Sequence, residues 1–426
     1  KYSSFLFHIM QYVLPYGKGK QSIFIPNSFS VEVISGEKDR KIADVNKLIE
    51  HAFSHPLYTA KLVELVHTGD SVVIVVDDHT RPCPSKQILP FILRELEKAN
   101  VSSSDICILI ATGTHMPPNR DQLVQLLGRK IVQKYTVICN DNNTSEYVSI
   151  GCSSFGHEIK INKLYVDATV KIILSDIEYH YFAGYGGTRK SILPGIASSD
   201  TIQQNHSMMF DEAATTGELE KNPVSTEMKE ALDMIGCDYS IGVVLDQSHE
   251  IVGVWTGDAH AVMDKGITLV DRLFAKKVRR KPDMVITSAD GHPHDINLYQ
   301  ALKAVHTASK ILREKGVIIL VAECKEGMGN KVYKQWLDRY DSSEQIKNKL
   351  HNQFQIGAHK AYYHRDIIEH FFVHLSSSFH PAYVQKNLGF TPVKTAQQAF
   401  DMGVVLNDDI KNILIVPQGS TTRLML

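Results

Sequence analysis

The run SVVIVV at residues 71–76 constrains this chain more than any other stretch. After its serine every residue is apolar and β-branched, so it has no polar face to turn toward water. That is the mark of a strand covered on both sides within a parallel sheet. Behind it, Ile88, Leu89, Ile92, Leu93 and Leu96 recur at helical spacing. Further strand-like runs follow at 106–110, 135–139 and 168–174, with a short helical pattern at 122–127. Strand, helix and strand in that cadence predict an α/β fold with largely parallel sheets, whose ligands bind at the carboxyl ends of the strands. A second unit of the same kind is expected from strands at 283–287 and 316–320 with a helix at 299–314 between them. The basic stretch KKVRRKP at 276–282 before it reads as a linker. The expected organisation is two α/β domains, 1–275 and 283–405, with an active-site cleft between them. A last strand within 406–426 is expected to return to the first domain.

Composition narrows the function classes. A length of 426 residues suits two or three domains. Lys and Arg total 46 against 47 Asp and Glu, a net charge of −1, which argues against nucleic acid as a partner. The six cysteines stand singly, at 83, 107, 139, 152, 237 and 324, with no CxxC among them. Disulfide scaffolds, zinc knuckles and thioredoxin-like chemistry are therefore disfavoured. No apolar run approaches the roughly 20 residues that span a bilayer. The opening KYSSFLFHIMQYV is short, broken by His8 and without a small-residue cleavage site. It reads as an edge strand or an added remnant rather than a signal peptide. A cytoplasmic protein with no membrane partner is expected. Twenty histidines are unusually many; this side chain titrates near neutrality and is the commonest metal ligand.

Polar chemistry collects where strands end. DDHTRP at 77–82 follows the first strand, and its Arg81 suits a two-pronged pair with a carboxylate or phosphate, although a surface turn with an internal ion pair would look the same. ATGTHMPP at 111–118 follows the second strand and carries His115. In DIEYHYFAGYGGTRKSILPGIA, at 176–197, Gly184, Gly186 and Gly187 precede Thr188, Arg189, Lys190 and Ser191. This is either an anion cradle or a tight turn; it matches neither GxxxxGK[ST] nor GxGxxG. His206 follows in a polar NHS context. GHPHDINLYQALKAVH, at 291–306, carries His292 and His294 in a loop, then Gln300 and Lys303 on one helix face.

Taken in order, DDHTRP, GTH, H…GGxRKS…H and YQxxK resemble the nickel-dependent lactate racemases and their 2-hydroxyacid racemase and epimerase relatives. The likeness runs from LPYGKG at 14–19 to PQG at 417–419. It implies a nickel-pincer nucleotide, a pyridinium-3,5-bisthiocarboxylic acid mononucleotide holding nickel, joined covalently to Lys190. His206 would complete the metal's coordination, and His115 and His180 would be acid–base groups on opposite sides of the substrate carbon. Arg81, Gln300 and Lys303 would hold the substrate carboxylate or neighbouring cofactor groups. Asp78, Thr80, Gly186, Gly187 and Ser191 would lie near the cofactor. Asp290 and Gly291 stand where the family commonly has a Gly-Gly pair. The implied activity interconverts L- and D-lactate by hydride transfer through pyruvate, with malate, phenyllactate or a sugar acid as alternative substrates. Transient contact with the proteins that make the cofactor follows from the same resemblance. An NAD-linked dehydrogenase lacks its fingerprint here, and a zinc hydrolase lacks HExxH. A non-catalytic cofactor-binding protein would have little use for the full histidine and lysine set.

Overall fold

The computed structural model describes residues 9–34, 42–352, 354–355 and 357–426, so the first eight residues of the apolar start lie outside it. Twelve strands build two six-stranded sheets. In chain order they are β1 (Ser30–Val33), β2 (Val72–Asp77), β3 (Ile106–Ala111), β4 (Thr136–Cys139), β5 (Val170–Asp176) and β6 (Tyr239–Leu245). There follow β7 (Ile251–Gly257), β8 (Met284–Ser288), β9 (Val317–Val321), β10 (Phe372–Ser376), β11 (Thr391–Val393) and β12 (Asn412–Val416).

One unit spans 42–273 and orders its sheet β7-β6-β5-β2-β3-β4. All its pairings are parallel except that of β6 with β7. The apolar run at its centre is buried along Val72–Val76, as a strand with no polar face must be. The helix Ser85–Lys98 lays Ile88, Leu89, Ile92 and Leu96 into a core shared with Ile74, Ile108 and Ile172. Each such side chain contributes about 1.5–3 kcal/mol on burial.

The other unit joins 9–34 to 274–426, with sheet order β11-β10-β9-β8-β12-β1, parallel throughout. Two expectations are corrected here. Residues 1–275 do not form one domain: the hairpin of strands Ile9–Tyr16 and Gly19–Pro26 buries Leu14, Ile23 and Ile25 in the core formed by Met284, Ile286, Val317 and Ile319. The last strand does not return to the first unit either. It lies between β8 and β1, burying Ile413 and Ile415 in that same core. The expected linker at 276–282 begins as strand, since Ala275–Lys277 pairs with Arg423–Met425. Among the described residues no helix is long and apolar enough to cross a membrane.

Candidate active site

In the sheet of 42–273 the strand order reverses beside β2, with β3 and β4 on one side and β5, β6 and β7 on the other. Loops leaving adjacent strands in opposite directions open a crevice at such a point. The sequence supplies its polar loops there: residues 78–81 leave β2, His115 follows β3, and His180 and Lys190 follow β5.

His115 Nδ1 lies 2.7 Å from Asp78 Oδ2, and Thr80 Oγ1 donates to Asp78 Oδ1 at 2.6 Å. Asp78 is 1% exposed. Burial pushes its carboxyl up, but hydrogen bonding and charge from His115, with Thr80 and Arg81, outweigh it and hold it below the usual range. An ionised acceptor at that distance puts the His115 proton on Nδ1 and leaves the lone pair on Nε2. His180 is oriented differently. The Ala183 backbone N–H donates to its Nδ1 at 3.1 Å, which puts its own proton on Nε2. The Phe182 ring meets His180 edge-on at 4.6 Å and His206 at 5.0 Å. Burial lowers His206 to about 3, with the charges of Lys190 and His115 adding to the effect, so its imidazole is neutral at physiological pH.

A charge cluster lies at the ends of β2 and β5. Arg81 pairs with Glu178 at 3.4 Å. Asp77 Oδ2 accepts the Asp176 N–H at 3.1 Å and its Oδ1 accepts from Ser191 Oγ at 3.3 Å. Burial, then Glu178 and Asp77, push the Asp176 carboxyl well above its usual range, with the Arg81 charge opposing them. Cys83 brings its sulfur within 4.8 Å of ligating oxygens of Asp77 and Asp176, and burial raises its thiol too. Lys190 feels the opposite effect. Burial and the Arg81 charge bring its amine down to about 7, with Glu178, Asp77 and Asp176 partly offsetting them. It is a half-buried amine, largely unprotonated just above neutrality.

The glycines of 184–187 serve close packing. At Gly187, with φ +103°, a Cβ would meet Ile177 Cγ1 at 2.8 Å; at Gly186 one would meet Glu178 Cγ at 3.3 Å. The bare faces of these residues are filled by the chain leaving β5, in keeping with the tight-turn reading.

Gln300 and Lys303 belong to the other unit, on the helix Leu298–Ser309, which Asn297 caps by accepting the Gln300 N–H at 3.1 Å. That helix follows β8, and β8 also stands at a reversal of strand order, between β9 and β12. The loop between them carries His292, whose N–H donates to Gly17 O at 2.9 Å, together with His294 and Asp290. Both Asp290 oxygens are buried, and burial raises the carboxyl to about 8 against the opposing influence of Thr421 and Lys303. Sequence reasoning missed Asp176, Glu178, Asn205 and Glu227. Only strand endings hinted at the first two; Asn205 was visible only as the polar neighbour of His206, and Glu227 sits on a helix with no local signal.

The unit is thus a doubly wound α/β fold that gathers three buried or half-buried histidines, a lysine and an arginine at its switch point. Residues 16–217 match the lactate racemase N-terminal domain and 277–422 the lactate racemase C-terminal domain. The chain is 32% identical over 424 residues to a lactate racemase of Thermoanaerobacterium thermosaccharolyticum, covering 95% of this chain and 97% of the relative. It is 32% identical over 390 residues to that of Lactiplantibacillus plantarum, covering 87% and 89%. The lactate racemase apoprotein structure from Thermoanaerobacterium thermosaccharolyticum superposes with a TM-score of 0.88 at 30% identity, over 98% of this chain and 100% of that one. A Thermotoga maritima protein shares the fold at TM-score 0.62 and 18% identity, over 89% and 98%. The chain belongs to the lactate racemase family, and it is a racemase, an isomerase.

Proposed function

We propose that this enzyme interconverts L- and D-lactate, with His115 and His180 moving the hydroxyl proton and Lys190 and His206 holding a nickel-pincer nucleotide. The single observation that carries this reading is the convergence of two differently wired histidines and a largely neutral lysine amine at one switch point. The residues suit the group: a lysine near 7 supplies an unprotonated nucleophile, and a histidine near 3 supplies an uncharged imidazole to a metal. When bound, the cofactor supplies a hydride acceptor for the α-hydrogen, so inversion passes through a flat 2-keto acid rather than a carbanion.

The protein's part is proton handling and orientation. His115 Nε2, with Nδ1 bonded to Asp78, is set to accept the substrate hydroxyl proton; the resulting imidazolium is stabilised by the Asp78 carboxylate. His180, with its proton on Nε2, is set to hydrogen-bond a substrate oxygen. For it to take a proton in the opposite direction, the proton must sit on Nδ1 and the Ala183 contact must open. Arg81, Gln300 and Lys303 are assigned the substrate carboxylate or neighbouring cofactor groups, and Asp78, Thr80, Gly186, Gly187 and Ser191 the cofactor's surroundings. The six cysteines are all free, in keeping with a reducing cytoplasmic setting.

The test is intact-mass analysis of enzyme produced alongside the cofactor-making proteins, with nickel quantified on the same sample and a panel of enantiopure 2-hydroxy acids assayed. The expected result is a nucleotide-sized adduct mapping to Lys190, one nickel per chain, and racemisation of lactate that His115→Ala and His180→Ala each reduce by at least about 100-fold. An unmodified, nickel-free chain with full activity would overturn the cofactor assignment. Racemisation of another 2-hydroxy acid in preference to lactate would overturn the substrate.

A further inference from the structure

A line of buried polar groups runs from His206 through Asn205 to Glu227. Asn205 precedes His206 on the helix Ser199–Ser207, and both are buried. The Asn205 amide spends both its hydrogens elsewhere: Nδ2 donates to Val224 O at 3.1 Å and to Glu227 Oε2 at 3.0 Å. Its Oδ1 therefore faces His206 Nδ1, 3.0 Å away, as an acceptor. Glu227 is fully buried on the helix Pro223–Ile235, and its other oxygen accepts from Ser153 Oγ and meets His157 Nδ1, each at 2.7 Å. A carboxylate offers only acceptors to those donors, so it fixes which end of the Asn205 amide points at it. The amide, so fixed, demands a proton on His206 Nδ1.

We infer that Asn205 and Glu227 are positioning residues that lock His206 in the tautomer whose lone pair lies on Nε2, making Nε2 its metal-binding atom. The inference rests on the reading of His206 as the nickel ligand. The chemistry is general: a ligating imidazole needs its second nitrogen held as a donor, and losing that partner typically costs 10–100-fold in metal affinity. A reversed amide would present Nδ2 to His206, draw the lone pair to Nδ1 and place a proton on the ligating atom.

Two measurements test this. In apoenzyme labelled with 15N-histidine, with the His206 resonances assigned by comparison with His206→Ala, Nδ1 should carry the proton and Nε2 should be bare. The opposite tautomer would overturn the inference, whatever any variant does. In cofactor-loaded enzyme challenged with a chelator, the ratio of nickel to Lys190 adduct is followed by metal analysis and intact mass. Asn205→Leu should keep the adduct while losing nickel 10–100-fold more readily than the parent, approaching His206→Ala. If Asn205→Leu holds nickel like the parent while His206→Ala loses it, the positioning role falls and the ligand reading stands. If His206→Ala also holds nickel, the ligand reading fails and takes the inference with it.

Discussion

Lys190 shows how a single side chain is set by its neighbours. A lysine in water keeps its proton to about pH 10.4, yet here burial and the Arg81 guanidinium bring the amine to about 7 against three nearby acids. A depressed amine pKa means a neutral nucleophile at physiological pH, where a surface lysine is almost wholly charged. Brief acetic anhydride labelling of the apoenzyme, mapped by mass spectrometry across pH 5.5–9.5, should show Lys190 reactivity rising with a midpoint near 7. An ordinary solvated lysine, with its pKa near 10.4, would still be rising at the top of the range. A Lys190 profile of that ordinary form would show that the amine is not tuned. The same neighbours explain why Arg81 keeps its charge despite burial: Glu178, Asp176, Asp77 and Asp78 together outweigh the desolvation.

At the scale of elements, what the chain's pattern made legible was the part written in local periodicity. The strands at 71–76, 106–110 and 168–174 and the helix behind Pro84 all form within two residues of where their apolar spacing places them. The polar loops that follow β2, β3 and β5 leave the sheet on one side, because parallel strands put every carboxyl end there. Less legible was anything decided by long-range pairing. Residues 9–34 are separated from 274–426 by a whole folded unit, and nothing local in LPYGKG or SVEV tells which core will bury Leu14 or which edge β1 will extend. The bond between Asn205 and Glu227 was invisible for the same reason, since it joins two helices. The glycines of 184–187 were ambiguous between cradle and turn, and packing favours the turn. Gly187→Ala should therefore destabilise the 42–273 unit by about 2–4 kcal/mol, because the new methyl combines a left-handed φ with overlap of Ile177. Urea denaturation of the apoenzyme would measure it. A cost below about 0.5 kcal/mol would show that the chain there yields, and that the glycine is kept for something other than packing.

Across the whole molecule, burial pushes titratable groups in opposite senses, and the pH dependence of folding follows from the signs. His206 at about 3 and His364 at about 4 stay neutral in the fold while the unfolded chain binds protons near 6.5. They withdraw stability as pH falls below that value. Asp290 acts the other way: raised to about 8, it keeps its proton in the fold where the unfolded chain has lost it above about 4. The native state then binds more protons across that window, so its contribution is fully present below about pH 4 and is lost as pH rises to 8. Asp290→Asn removes the titration and keeps the shape. The stability difference, variant minus parent, should therefore grow between pH 5 and 8 by up to about 1.4 kcal/mol per unit and level off above 8. Urea midpoints at half-unit steps, with the histidines common to both proteins and cancelling, would read this directly. A difference constant with pH would mean that the Asp290 carboxyl ionises normally in the folded protein, with Lys303 and Thr421 compensating its burial in full.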